Sequence, residues 1–92
     1  MKLRFTSTAL RQLDGILNTI TDHHPIGARN VQERIREVCY LLLDHPFMGL
    51  KTERRNIRRI VISPYPYLLT YRVGTSEVVI RTIRHTSRRP LS

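Results

Sequence analysis

His85, Ser87, Arg88 and Arg89 follow directly on an alternating run, VVIRTIR, near the end of a 92-residue chain. Histidine titrates near neutral pH and can pass a proton either way. Arginine stays cationic and offers a fork of donors to phosphate or carboxylate. A ribonuclease working by 2′-hydroxyl attack needs a base, an acid and a cation against the phosphorane. His85 with Arg88 is a minimal version of that kit. The same residues suit a nucleic-acid clamp or a docking edge for another protein. The plainest alternative is a histidine bonded to backbone at a strand end, with the arginines in water.

The remaining reactive side chains point to less chemistry. Asp22, His23 and His24 are consecutive before Pro25, and adjacent histidines on a helix-ending loop do not converge on one ion. No metal and no cofactor is expected. Cys39 is the single cysteine, so no intramolecular disulfide can form. It falls in an apolar stripe and reads as a buried thiol. Tyr65, Tyr67 and Tyr71 stand near arginines and resemble a base-stacking platform. Tyr67 and Tyr71, however, share a strand face with Leu69 and Val73, which favours packing. Tyr65 is the freer one.

Charge is unevenly placed. Residues 1–50 carry six Lys/Arg against five Asp/Glu, whereas residues 51–92 carry ten against two. Fourteen of the sixteen cations are arginine, so the second half is built for an anionic partner: RNA, DNA or an acidic peptide. The N-terminus lacks the apolar core of a signal peptide, and no apolar run approaches the length of a membrane span. The expected location is the cytoplasm, away from membranes.

The elements that must position these groups follow from periodicity. Leu3 and Phe5 alternate with Lys2 and Arg4, giving a short first strand. Thr6 to Thr8 offer caps for a helix over residues 7–22, with Leu10, Leu13, Leu17 and Ile20 as its stripe. A second helix starts near Pro25 and runs to about Leu43, burying Ala28, Val31, Ile35, Val38, Cys39 and Leu42, before Pro46 stops it. Strands are expected at Ile57–Ile62, Tyr67–Val73 and Val78–Arg84, with Gly74-Thr75-Ser76 as a hairpin turn. Strict alternation along the last strand places Val78, Ile80, Thr82 and Arg84 on one side and Val79, Arg81, Ile83 and His85 on the other. The fold class is α+β: one domain over residues 1–92, a two-layer sandwich. A short N-terminal strand and a helical hairpin pack on an antiparallel sheet of three to four strands.

With HPFMG after the second helix, RRIVISPYPYLLTYRV in the middle and VVIRTIRHTSRRP at the end, the chain resembles the RelE/ParE superfamily of bacterial type II toxins. The resemblance covers nearly the whole chain. It implies a toxin held inactive by a cognate antitoxin with an acidic or amphipathic wrapping segment. RelE-like members cut mRNA in the ribosome; ParE-like members poison DNA gyrase. A RelE-like site typically has an arginine directly after the first tyrosine of the middle strand, where this chain has Leu68. It also usually has a tyrosine or an extra histidine after the terminal segment, where this chain has Arg89, Pro90, Leu91 and Ser92. The ParE-like branch is therefore the closer one. In that branch Arg58, Arg59, Tyr65, Arg81, Arg84, Arg88 and Arg89 are the expected contacts with target or antitoxin. In the RelE-like alternative His85 and Arg88 are catalytic, with Arg58, Arg59 or Arg81 replacing the missing arginine. A basic nucleic-acid-binding domain is the third reading.

Overall fold

The computed structural model describes residues 1–87. Arg88 and Arg89, both expected site residues, lie outside the described residues. The elements are β1 (Lys2–Phe5), α1 (Ser7–Thr21), α2 (Pro25–Asp44), β2 (Leu50–Lys51), β3 (Ile57–Val61), β4 (Tyr67–Val73) and β5 (Glu77–His85). Five strands form one sheet in the order β1-β5-β4-β3-β2. The sheet is one strand larger than expected, because Leu50 and Lys51 pair antiparallel with Arg59 and Arg58. It is also mixed rather than purely antiparallel. β1 lies parallel to β5, with Leu3 opposite Val78 and Phe5 opposite Ile80. The chain crosses the sheet through both helices before the later strands form, so its first strand is left to close one edge.

Both helices cover one face. Thr6 caps α1 by accepting the Ala9 N–H at 3.1 Å. Pro25 opens α2, where its missing N–H costs nothing. Val31, Ile35, Val38, Cys39 and Leu42 recur at helical spacing and are all buried, as the sequence pattern predicts. They meet Ile62, Leu69, Tyr71, Val78, Ile80 and Ile83 of the sheet. The α1 stripe differs from expectation. Ala9, Leu13, Ile16, Leu17 and Ile20 pack inward, while Leu10 stays 51% exposed. Ala9 and Ile16 align with Leu13 and Ile20 at i, i+4, i+7 and i+11; Leu10 lies at the margin of that stripe.

Strict alternation fails in β5. Thr82 pairs with Thr70, yet the next pair is Ile80 with Tyr71, so Arg81 is an extra residue. A bulge of this kind shifts the phase of the strand by one. Before it, Val78 and Ile80 face the helices; after it, Ile83 does, and all three are 0–1% exposed. Val79, Thr82 and Arg84 share the opposite face. The expected division at residues 82–85 is therefore reversed. The Val78, Ile80, Ile83 spacing, two and then three, is its only trace in the sequence.

Tyr71 anchors the centre. Its ring is fully buried; its hydroxyl donates to the Pro46 carbonyl at 2.8 Å and accepts the Gly49 N–H at 3.0 Å. A Cβ on Gly49 would sit 2.6 Å from that oxygen and 2.8 Å from the Arg59 carbonyl, so no larger residue fits. Burial raises the Tyr71 pKa, against opposing effects of the Gly49 hydrogen bond and Arg58. Tyr71→Phe leaves a buried donor and acceptor without their partner and should cost about 1–3 kcal/mol. Gly49→Ala should cost at least as much through overpacking. Urea unfolding measures both, and a midpoint unchanged in either variant would contradict this account.

Burial pushes the Cys39 thiol up to about 11 from 9.0. The unfolded thiol then loses its proton first. Its contribution to stability is complete below about pH 9 and disappears as the pH approaches about 11. Wild type should therefore lose more stability than Cys39→Ala between those two values, read as the difference in urea midpoints.

Candidate functional site

The sheet face turned away from the helices carries the cations. Cross-strand partners share a face, so Arg59, Thr70 and Thr82 form one row across β3, β4 and β5. The next row is Val61, Leu68 and Arg84. Arg81 reaches the same face through the bulge. A groove there is lined by Lys51, Arg54, Arg59, Arg81 and Arg84 around Thr70 and Thr82, with Glu53 the one carboxylate among the described residues. Thr70 and Thr82 hydrogen-bond to each other through their hydroxyls. Arg4 and Arg72 lie beyond the groove, and Glu77 occupies both, at 3.1 Å and 3.8 Å. Those two cations hold the Glu77 carboxyl below its usual range, with the Arg4 hydrogen bond the largest cause. Among the described residues no carboxylate lies within 4 Å of Arg59, Arg81 or Arg84.

The bulge is held by α1. Thr6 Oγ1, while capping the helix, also donates to the Arg81 carbonyl at 3.0 Å. The Thr6 N–H donates to the Ile80 carbonyl, and Gln12 Oε1 accepts the Ile83 N–H at 2.9 Å. The edge of β5 beyond β1 is thus closed by Thr6 and Gln12 rather than by a strand, which satisfies its polar groups and blunts an exposed edge.

Beside the arginines is an apolar strip. Val61 and Leu68 are cross-strand partners, and Leu50 is opposite Arg59. Met48, Leu50, Val61 and Leu68 line one shallow groove with Arg59. Leu50 is 66% exposed, Val61 47% and Met48 46%. Phe47, close by in sequence, is 65% exposed. Such clustering marks an interaction surface more than scattered exposure does. The strip escaped sequence reading, because β2 is only two residues long and its pairing brings Leu50 there.

The sequence-derived residues separate into groups. Arg59, Arg81 and Arg84 come together on the outer face. Arg58 points the other way: its Nη1 donates to the Phe47 carbonyl at 3.1 Å and the Gly49 carbonyl at 2.8 Å, and its guanidinium lies 5.1 Å from the Phe47 ring centroid. Tyr65 is half-buried and packs against the core cluster rather than standing free. Tyr67 packs there too and meets His85 edge to face at 5.5 Å. His85 borders a groove against α1 with Gln12, Thr19, Tyr67 and Ile83. Its Nδ1 accepts the Ser87 N–H at 3.1 Å, and Ser87 Oγ is at 2.6 Å. An imidazole taking a backbone N–H at Nδ1 carries its proton, when neutral, at Nε2. Arg84 borders both grooves; Arg59 and Arg81 border only the outer one. His85 and the arginine row are thus on opposite faces of the sheet. Among the described residues no group of three His, Cys, Asp or Glu side chains could hold a metal ion, and no helix is long and apolar enough to cross a membrane.

A helical hairpin on one face of a small mixed sheet, with cations and apolar side chains together on the other, defines a small α+β domain. Residues 3–90 match the family model of the ParE toxin of type II toxin-antitoxin systems of the parDE kind, and the chain belongs to that family. It is 32% identical over 84 residues to Y4kP, a candidate toxin of Sinorhizobium fredii, covering 91% of this chain and 86% of that one. Among solved structures it resembles a chain of the chromosomal ParDE toxin-antitoxin system of P. aeruginosa, with a TM-score of 0.80 at 23% identity, covering 95% of this chain and 97% of that one. It also resembles the isolated E. coli RelE toxin, with a TM-score of 0.71 at 16% identity over 96% of this chain and 86% of that one. These structural likenesses establish the fold. The protein is a toxin of a toxin-antitoxin pair, with a cognate antitoxin as its partner.

Thr6 serves both the cap and the bulge. Thr6→Val, which keeps the shape and removes the hydroxyl, should cost about 1–2 kcal/mol in urea unfolding. Thr6→Ser should keep most of the stability. Equal stability of the Val and Ser variants would show that the hydroxyl carries neither duty.

Proposed function

We propose that this toxin inhibits DNA gyrase by binding through the outer sheet face and performs no chemistry of its own there. The observation that carries this reading is the Leu68–Val61 pair beside Leu50, an apolar strip flanked by Arg59 and Arg84. Protein interfaces combine an apolar centre with arginine, while phosphoryl-transfer sites need charge aimed at the phosphorane. Leucine at position 68 supplies the first and removes the second. The position of His85 supports the same reading, since its imidazole lies across the sheet from Arg59 and Arg81.

Purified toxin should inhibit gyrase supercoiling at micromolar concentration or below. Leu68→Asp, at a half-buried surface position, should weaken inhibition at least tenfold with the fold retained by circular dichroism. His85→Ala should inhibit as wild type does. Primer extension on mRNA from cells expressing the toxin should show no codon-positioned cuts. Supercoiling unaffected by the toxin, or cuts that vanish in His85→Ala, would replace this reading with the ribosome-dependent endonuclease.

A further inference from the structure

We infer that the arginine half of the outer face is a phosphate-backbone site, holding duplex DNA beside the protein surface that the apolar strip contacts. The inference rests on the gyrase reading for its biological setting, since gyrase acts while bound to DNA.

Its lining is the first argument. Among the described residues, five cations and three threonines line the groove against one carboxylate, and the one apolar member, Ile57, is buried. A peptide segment needs an apolar anchor to gain affinity, and here such anchors are confined to the neighbouring strip. Arginine with threonine is instead the donor set that positions nucleic-acid phosphates.

The fates of the other arginines sharpen the point. Arg4, Arg34 and Arg72 have carboxylate partners, and Arg58 is committed to two carbonyls. Arg59, Arg81 and Arg84 on the strands have no such partner among the described residues, and neither has Arg54 in the loop that lines the same groove.

The bulge supplies the third argument. Consecutive strand residues normally face opposite ways, yet Arg81 and Thr82 line the same groove. The extra residue turns a third guanidinium toward Arg59 and Arg84. In the Thr70–Thr82 pair one hydroxyl donates to the other, so the accepting one keeps its own O–H for an incoming oxygen.

Spacing agrees with the assignment. Arg59 and Thr82 are separated by two interstrand steps, about 10 Å, so the arginines around them are close enough to meet neighbouring phosphates of one backbone. Three guanidiniums over that span can neutralise about three phosphates. The slope of log K against log salt should then be about −2.7, a loss of roughly fortyfold in affinity between 50 and 200 mM salt.

The test is fluorescence anisotropy of a labelled 20-base-pair duplex titrated with the full chain across that salt range. A sodium polyglutamate series is run as competitor. Arg59→Gln, Arg81→Gln and Arg84→Gln should each flatten the slope by about one, and the triple variant should lose at least tenfold in affinity at 50 mM salt. Circular dichroism checks each fold, and Arg59→Lys, which keeps the charge, should retain most of the slope. Absence of duplex binding, or slopes unchanged in the Gln variants, overturns the inference. So does polyglutamate that binds through the same arginines more tightly than the duplex, which would assign the groove to an acidic protein segment. A supercoiling assay on the same preparations separates the two claims. Duplex binding without gyrase inhibition leaves the phosphate site standing and removes the gyrase reading. Gyrase inhibition that is intact in the triple variant, with no duplex binding in wild type, does the reverse.

Discussion

Arg81 is one residue too many for the ladder between β4 and β5, and the usefulness of both sheet faces depends on it. Without the bulge, the alternation that turns Val78 and Ile80 toward the helices would continue with Thr82 and Arg84. Ile83 would then turn to water. A one-residue slip of phase in a half-buried strand exchanges its two faces. An unpaired guanidinium in the core would cost more than a domain this small can lose. The extra residue avoids that conflict. Thr6 makes the bulge tolerable by accepting from the Ala9 N–H and donating to the Arg81 carbonyl. The start of the first helix and the irregularity in the last strand are therefore fixed by one oxygen, although 75 residues separate them.

Tyr71 plays the complementary role at the other side of the sheet. Its hydroxyl joins the Pro46 carbonyl and the Gly49 N–H, so the loop leaving α2 is held against the sheet before the chain turns into β2. Arg58 then closes over the same loop by donating to two of its carbonyls. This arrangement explains why neighbouring arginines have different roles. Arg58 faces the loop and satisfies backbone oxygens, and Arg59, one residue later, faces outward. The β2 strand exists because the loop is pinned, and its Leu50 completes the apolar strip.

Much of this was visible in the sequence, for identifiable reasons. The long α2 stripe and the strand at Tyr67–Val73 rest on strong local signals, and the structure takes Thr6 from the three capping residues the sequence offers at positions 6–8. The features missed are those set by contacts far apart in the chain. The parallel placement of β1 is decided by packing against β5, which no local pattern encodes. The bulge appears only as a change of spacing between Ile80 and Ile83. Arg58 and Arg59 are indistinguishable as a dipeptide; the side of the strand each occupies depends on register with Tyr71 and Thr70. Tyr65 looked free because it sits in a turn, yet the turn folds back over the core. The +8 balance of the second half is a property of composition; which of its arginines face outward depends on strand register and on the bulge.

The two halves of the outer face respond differently to their surroundings. Attraction by Arg59, Arg81 and Arg84 is long-ranged but screened over about 8 Å at physiological ionic strength. Contacts at Leu50, Val61 and Leu68 are short-ranged and nearly indifferent to salt. For a partner meeting such a surface, the arginines would govern how fast and in what orientation it arrives, and the apolar strip how slowly it leaves. A neutralising antitoxin that engaged both halves would combine rapid capture with slow release. An anionic competitor lacking an apolar segment could occupy only the arginine half and would be displaced by salt. Leu68 is central to that difference. An arginine there would extend the charged row and break the strip in two, making the face more responsive to phosphate and less able to retain a protein.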